Sequence, residues 1–238
     1  MWRTVSLLGV LLMGTAHAAE SMKEDNQHVR SWNAFADNVY QLHQKLSQVE
    51  GVNTKTRLGG YAGMPEFYRE EQFYLGDRLI SIVQWEKAQE NVMHSIEVFV
   101  YDDHGRVIRD YTATYLPTYR NAPTQTLISL HRYQDQLHAF RSFDASGYRI
   151  IERCTGSLKG REVNLLLDED EIAEALGDPE SIMASDEYRA CFGDLQAEAG
   201  QYLQPSKTGA ISQWRWRFPA GHETGRRHPP CSVARWRR

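Results

Sequence analysis

Tyr101-Asp102-Asp103-His104-Gly105-Arg106-Val107-Ile108 sets an aromatic residue before a polar glycine turn, then an arginine and two aliphatics. The same order recurs in Phe73-Tyr74-Leu75-Gly76-Asp77-Arg78-Leu79-Ile80 and in Phe143-Asp144-Ala145-Ser146-Gly147-Tyr148-Arg149-Ile150. Glycine takes the positive-φ position that a tight hairpin requires, Asp and Ser bond nearby backbone, and the aromatic and aliphatic side chains pair across the strands. The arginine after each turn is expected on the solvent side. These segments predict antiparallel hairpins rather than strand–helix–strand units.

Outward from these turns, β-favouring runs fill residues 54–167, among them Phe67-Tyr68, Phe73-Tyr74, 79–85, 95–101, 107–116, 126–133 and 148–154. The second copy, Tyr101-Asp102-x-x-Gly105-Arg106, resembles the hairpins of YD-type repeat proteins over about ten residues. The turn glycines, at 76, 105 and 147, stand 29 and 42 residues apart. That irregular spacing reads as convergent hairpin chemistry rather than a repeat array.

Before the sheet, Val29, Trp32, Phe35, Val39, Leu42, Leu46 and Val49 recur every three or four residues, predicting an amphipathic helix over 24–50 that Gly51 ends. His43, beside this stripe, reads as a partly buried or surface residue rather than a ligand. After the sheet, Asp168-Glu169-Asp170-Glu171 reads as a capping box, with acids at the positive end of a helix, rather than as a metal site. That helix ends at Gly177. Asp178-Pro179-Glu180 then predicts a second helix, striped by Tyr188, Cys191, Phe192, Leu195, Ala199 and Tyr202. The fold class is α+β: an antiparallel meander, curved or half-barrel, flanked by an N-terminal helix and by C-terminal helices over 168–203. In outline it is similar to the half-barrel carriers that chaperone lipoproteins or lipids in the periplasm.

The first residues give the compartment. Arg3, the apolar run 5–13 and Ala16-His17-Ala18 form the pattern of a secretory signal over 1–18, cleaved between Ala18 and Ala19. The run is too short to span a bilayer, which takes roughly 20 apolar residues, and no cysteine follows it as a lipid-anchoring point. A soluble periplasmic product is expected, with one α+β domain over 19–205.

In an oxidising compartment, Cys154 at a strand end and Cys191 on a helix face are expected to form a disulfide. Cys231 is left over. It lies in a segment, 206–238, that differs from the rest in charge: residues 20–206 hold 18 Lys/Arg against 30 Asp/Glu, whereas 207–238 hold 8 against 1. Trp214-Arg215-Trp216-Arg217-Phe218, Arg226-Arg227-His228-Pro229-Pro230 and Arg235-Trp236-Arg237-Arg238 carry almost no aliphatic residues and cannot build a core. The favoured reading of this tail is an out-of-frame translation of GC-rich DNA. The next is an unstructured basic arm for anionic surfaces, and the last is an ordered segment.

Catalytic signatures are missing. There is no Gly-x-Ser-x-Gly elbow, no phosphate-binding glycine loop, no His-Glu-x-x-His and no Cys-x-x-Cys. No cofactor or metal is expected. His94, His104, His131 and His138 fall in the β region, and His131 and His138 can meet across the hairpin at Gln134-Asp135. Strand-surface histidines are common, however, and Asp102 and Asp103 sit where turn chemistry explains them.

Tyr61, Phe67, Tyr68, Phe73, Tyr74, Tyr111, Tyr115, Tyr119 and Tyr133 alternate along strands, and some must line any concavity the sheet makes. The expectation is therefore an exported, non-catalytic binding or interaction domain for an apolar ligand or a periplasmic protein. The alternative is an exported hydrolase or metal-dependent enzyme using the β-region histidines. A lectin-like or wall-binding module ranks third. The acidic body argues against nucleic acid, since phosphate contacts need clustered cations.

Overall fold

Apolar residues spaced three and four apart put one face of helix α1 (Asn26–Ser47) into the core, burying Phe35, Ala36, Val39, Leu42 and Leu46. The computed structural model describes residues 26–89, 91–116 and 121–208. The expected signal segment with its cleavage residues Ala18 and Ala19, Tyr119, and the tail from 209 onward with Cys231 lie outside the described residues. Gly51, at φ +87°, turns the chain from α1 into the sheet, a conformation that a β-carbon disfavours.

Nine antiparallel strands follow, each paired with the next: β1 (Val52–Tyr61), β2 (Met64–Leu75), β3 (Arg78–Glu86), β4 (Met93–Tyr101), β5 (Val107–Thr114), β6 (Gln125–Gln134), β7 (Leu137–Phe143), β8 (Arg149–Leu158) and β9 (Arg161–Leu167). The first and last strands do not pair with each other, so the sheet is open. Its turns follow the chemistry expected of them. Asp102 Oδ1 accepts from the backbone N–H of His104 and Arg106, each at 2.9 Å, and Asp144 Oδ1 accepts in the same way from Ser146 and Tyr148.

Residues opposite each other on an antiparallel ladder share a face, so the register sorts the side chains. Val83, Ile96, Val98, Ala113, Tyr111, Ile128 and Phe143 lie on one face and form the core with α1. Each buried aliphatic or aromatic side chain of this kind contributes about 1.5–3 kcal/mol relative to exposure. On the same face, Leu137, Ala139, Cys154, Val163 and Leu167 continue under helices α2 (Glu169–Gly177) and α3 (Asp186–Phe192). Both helical groups pack on this face. Glu70, Gln84, Glu97, Asp110, His131, Tyr133, His138 and Phe140 occupy the other.

The capping box on α2 forms as expected: the Asp168 side chain accepts from the Glu171 N–H, and Glu171 accepts from the Asp168 N–H. The last predicted helix is broken instead. Asp178-Pro179-Glu180 makes a turn into a 3₁₀ segment, Ile182–Ala184; α3 has seven residues, and 3₁₀ turns follow at Gly200–Leu203 and Pro205–Lys207.

Arginines from the sheet explain the break, because they take carbonyls that a continuing helix needs. Arg132 donates to the carbonyls of Ala190 and Cys191, Arg141 to those of Leu195 and Gln196, and Arg149 to that of Ala197. Gly193, a poor helix former, stands at the end of α3. Arg149 thereby departs from the expected solvent side, with its side chain only 16% exposed, while Arg106 stays outward and pairs with Asp102.

Candidate functional site

The β6–β7 hairpin places Tyr133 opposite His138 and His131 opposite Phe140 on the face that the described helices leave open. Asp135 closes the turn at φ +52°, a conformation Asp tolerates better than most residues. The rings then stack. Tyr133 and His138 lie 4.5 Å apart and 2° from parallel, His138 and His131 lie 5.3 Å apart at 12°, and the Arg106 guanidinium sits 4.9 Å over the Tyr133 ring.

Hydrogen bonds tie the stack together. His131 Nε2 lies 2.6 Å from Asp110 Oδ2, and His131 Nδ1 lies 3.0 Å from His138 Nε2. A carboxylate only accepts, so His131 donates through Nε2, and a single hydrogen is shared between the two imidazoles. Burial, then the proximity of His131 and Arg153, pushes the His138 imidazole down to about 4, which keeps it neutral at physiological pH.

Further along the same face, burial followed by the charges of Asp110 and Glu70 raises the Glu97 carboxyl. Glu70 goes the other way. Burial alone would raise it, but hydrogen bonds from Arg57, Gln84 and Gln72 together outweigh that cost and hold it below the usual carboxylate value.

This arrangement holds a proton between two rings beside a carboxylate, and it presents a flat ring surface. A metal ion fits it poorly. Both nitrogens of His131 are engaged, and among the described residues no three His, Cys, Asp or Glu side chains gather around one point. Ser129 and Ser142, in the row that Asp110 shares, bond each other through their hydroxyls at 3.0 Å.

The other sequence candidates lie apart from this cluster. His94 is buried against Tyr61, Phe67 and Tyr68, and the Tyr61 hydroxyl bonds its Nε2. His104 is an exposed turn residue. His43 is buried, at 6% exposure, with Nδ1 2.9 Å from Ser81 Oγ beneath α1. The strand aromatics divide: Phe73 and Tyr111 go to the helix-covered core, whereas Tyr68, Tyr74 and Tyr133 go to the open face.

The sulfurs of Cys154 and Cys191 stand at disulfide distance, 2.06 Å, joining β8 to α3. Beside them Arg141 pairs with Glu152, and the Tyr188 hydroxyl donates to Glu152 at 2.6 Å. Burial, then Glu152, pushes that phenol up to about 12.

Asp110 and the Arg141–Glu152 pair were not among the sequence candidates. A signal for Asp110 was present, since Asp is depleted in strand interiors yet stands here inside Val107-Ile108-Arg109-Asp110-Tyr111-Thr112. No protein-family model, curated protein or solved structure matches the chain.

Proposed function

We propose that the chain is an exported, non-catalytic interaction domain that receives a protein partner on the open face of its sheet, centred on Arg106, Tyr133, His138 and His131. The ring stack carries the reading. It presents aromatic faces with a cation at one end and carboxylates behind, the mixture of apolar area and oriented polar groups that protein interfaces use. Phe99, Phe140 and Leu127 lie on the same face and add apolar contact area. Export rests on the pattern of residues 1–18.

A photo-reactive amino acid at position 133 tests the reading in the native host. It should give a discrete envelope adduct that His138→Ala weakens, with the same probe at Glu180 as control. Equal labelling from both positions rejects the open face as the binding surface.

One observation favours a second reading, an exported hydrolase: the 2.6 Å contact between His131 and Asp110 orients an imidazole as general bases are oriented. Turnover of ester or amide substrates that His131→Ala abolishes, while the fold is kept, would place the chain in that class.

A further inference from the structure

The two edges of the open sheet differ in how they are guarded. β1 carries Lys55 and Arg57 and has a register irregularity between Gly59 and Tyr61, both of which discourage a neighbouring strand. β9 pairs with β8 along its length without any irregularity. Its second half, Val163-Asn164-Leu165-Leu166-Leu167, has no charge, proline or glycine, and Leu166 is 55% exposed. Among the described residues no strand covers its outer side.

A groove runs between this edge and α2, where Glu171, Glu174, Ala175 and Asp178 line one helical stripe and Ile182 closes the end. No Lys or Arg occurs anywhere from Asp168 to Ser185.

We infer that the outer edge of β9 accepts an extended segment of a partner protein as a tenth strand, and that this segment alternates cationic and apolar side chains. The alternation follows from the register. Leu165 and Leu167 share the helix-covered face with Cys154 and Glu152, whereas Leu166 pairs with Arg153 on the open face. An added strand would turn every second side chain toward α2, where Glu171, Glu174 and Asp178 favour Lys or Arg, and the others toward Leu166, which favours an apolar group. Main-chain hydrogen bonds to the free edge would supply the pairing, and the two rows of side chains the selectivity. This site is separate from the ring stack and stands or falls without it.

The test uses the full chain and a fluorescein-labelled heptapeptide, Arg-Val-Arg-Leu-Arg-Val-Arg, followed by anisotropy at low and high salt. Binding should weaken about tenfold in the Glu171→Lys/Glu174→Lys variant and by a similar factor with Leu166→Lys, which installs an edge guard. The same peptide methylated on alternate backbone nitrogens keeps its charge but cannot pair, and its binding should be lost. An N-methylated peptide that binds within about twofold of the parent reduces the site to charge attraction and overturns the inference. No binding by the parent peptide at about 1 mM also overturns it. If Arg215→Glu/Arg217→Glu in the full chain tightens peptide binding, the groove belongs to the chain's own tail and the partner reading fails.

Discussion

His131 Nε2 and Asp110 Oδ2 lie 2.6 Å apart, joining β6 to β5 across the open face, and the other nitrogen of His131 reaches His138 on β7. Three strands thus share one hydrogen-bonded series. After burial, the proximity of His131 is the next cause that lowers the His138 imidazole, so the two rings are coupled.

His131→Phe keeps a ring in the stack and removes that coupling. The His138 imidazole should then move up from about 4 toward the usual histidine value, with burial and Arg153 still holding it below. Proton NMR of the imidazole Cε1–H against pH measures this. An unchanged His138 titration removes His131 as its partner.

Glu152 is wholly buried, and Arg141 beside it is 4% exposed. Arg141→Leu leaves that carboxylate without its main partner and should cost about 3–5 kcal/mol in urea unfolding, whereas Arg141→Leu/Glu152→Leu should recover much of the loss. Equal losses in the single and double variants would show that packing around Arg141, not its charge, holds the C-terminal segment.

Cys154 and Cys191 enclose a loop with a sequence separation of 37. Cys154→Ala/Cys191→Ala should lower stability by roughly 3 to 4 kcal/mol on the loop-entropy account. Protection of backbone amides in α3 should fall first, as hydrogen exchange would record. Two free thiols in the denatured, unreduced protein would dispose of the bridge.

Burial pushes the His43 imidazole down to about 4. Between that value and the usual histidine pKa, the unfolded chain binds a proton that the folded chain refuses. Stability from this group is therefore complete above about pH 6.5 and falls as the pH drops toward 4, by roughly 3 kcal/mol in all. His43→Gln retains a partner for Ser81 without titrating, so its unfolding free energy should fall less steeply over that window. Parallel pH profiles for the two proteins would rule out His43 as the source.

Gly156 holds φ +137°, and a β-carbon there would stand 1.9 Å from the Gln136 carbonyl oxygen. Gly156→Ala should cost about 2 kcal/mol or more by thermal unfolding, because the clash is with backbone that cannot rotate away. A loss under about 0.5 kcal/mol would mean that the β7–β8 ladder shifts freely at this point.

The hairpins were legible because their causes are local. The Asp102 and Asp144 side chains bond backbone two and four residues on, and Gly105 and Gly147 take positive φ within the same few residues. The α1 stripe and the Asp168–Glu171 capping box are local as well. The final helix breaks for the converse reason. Its residues between Gly193 and Tyr202 look helical in isolation, but Arg141 and Arg149, about fifty positions earlier, draw the carbonyls of Leu195, Gln196 and Ala197 toward the sheet.

By itself the sequence determined the order of elements, the antiparallel pairing of neighbours and the pair of cysteines suited to a bridge, because period, turn chemistry and residue type act over a few positions. Only the tertiary structure decided which face of each strand the helices cover, that Asp110 rather than the nearer Asp135 bonds His131, and that the outer edge of β9, which no strand covers among the described residues, runs beside an acidic helix. Those outcomes depend on register accumulated across strands and on charges brought together from distant positions, and no local pattern records either.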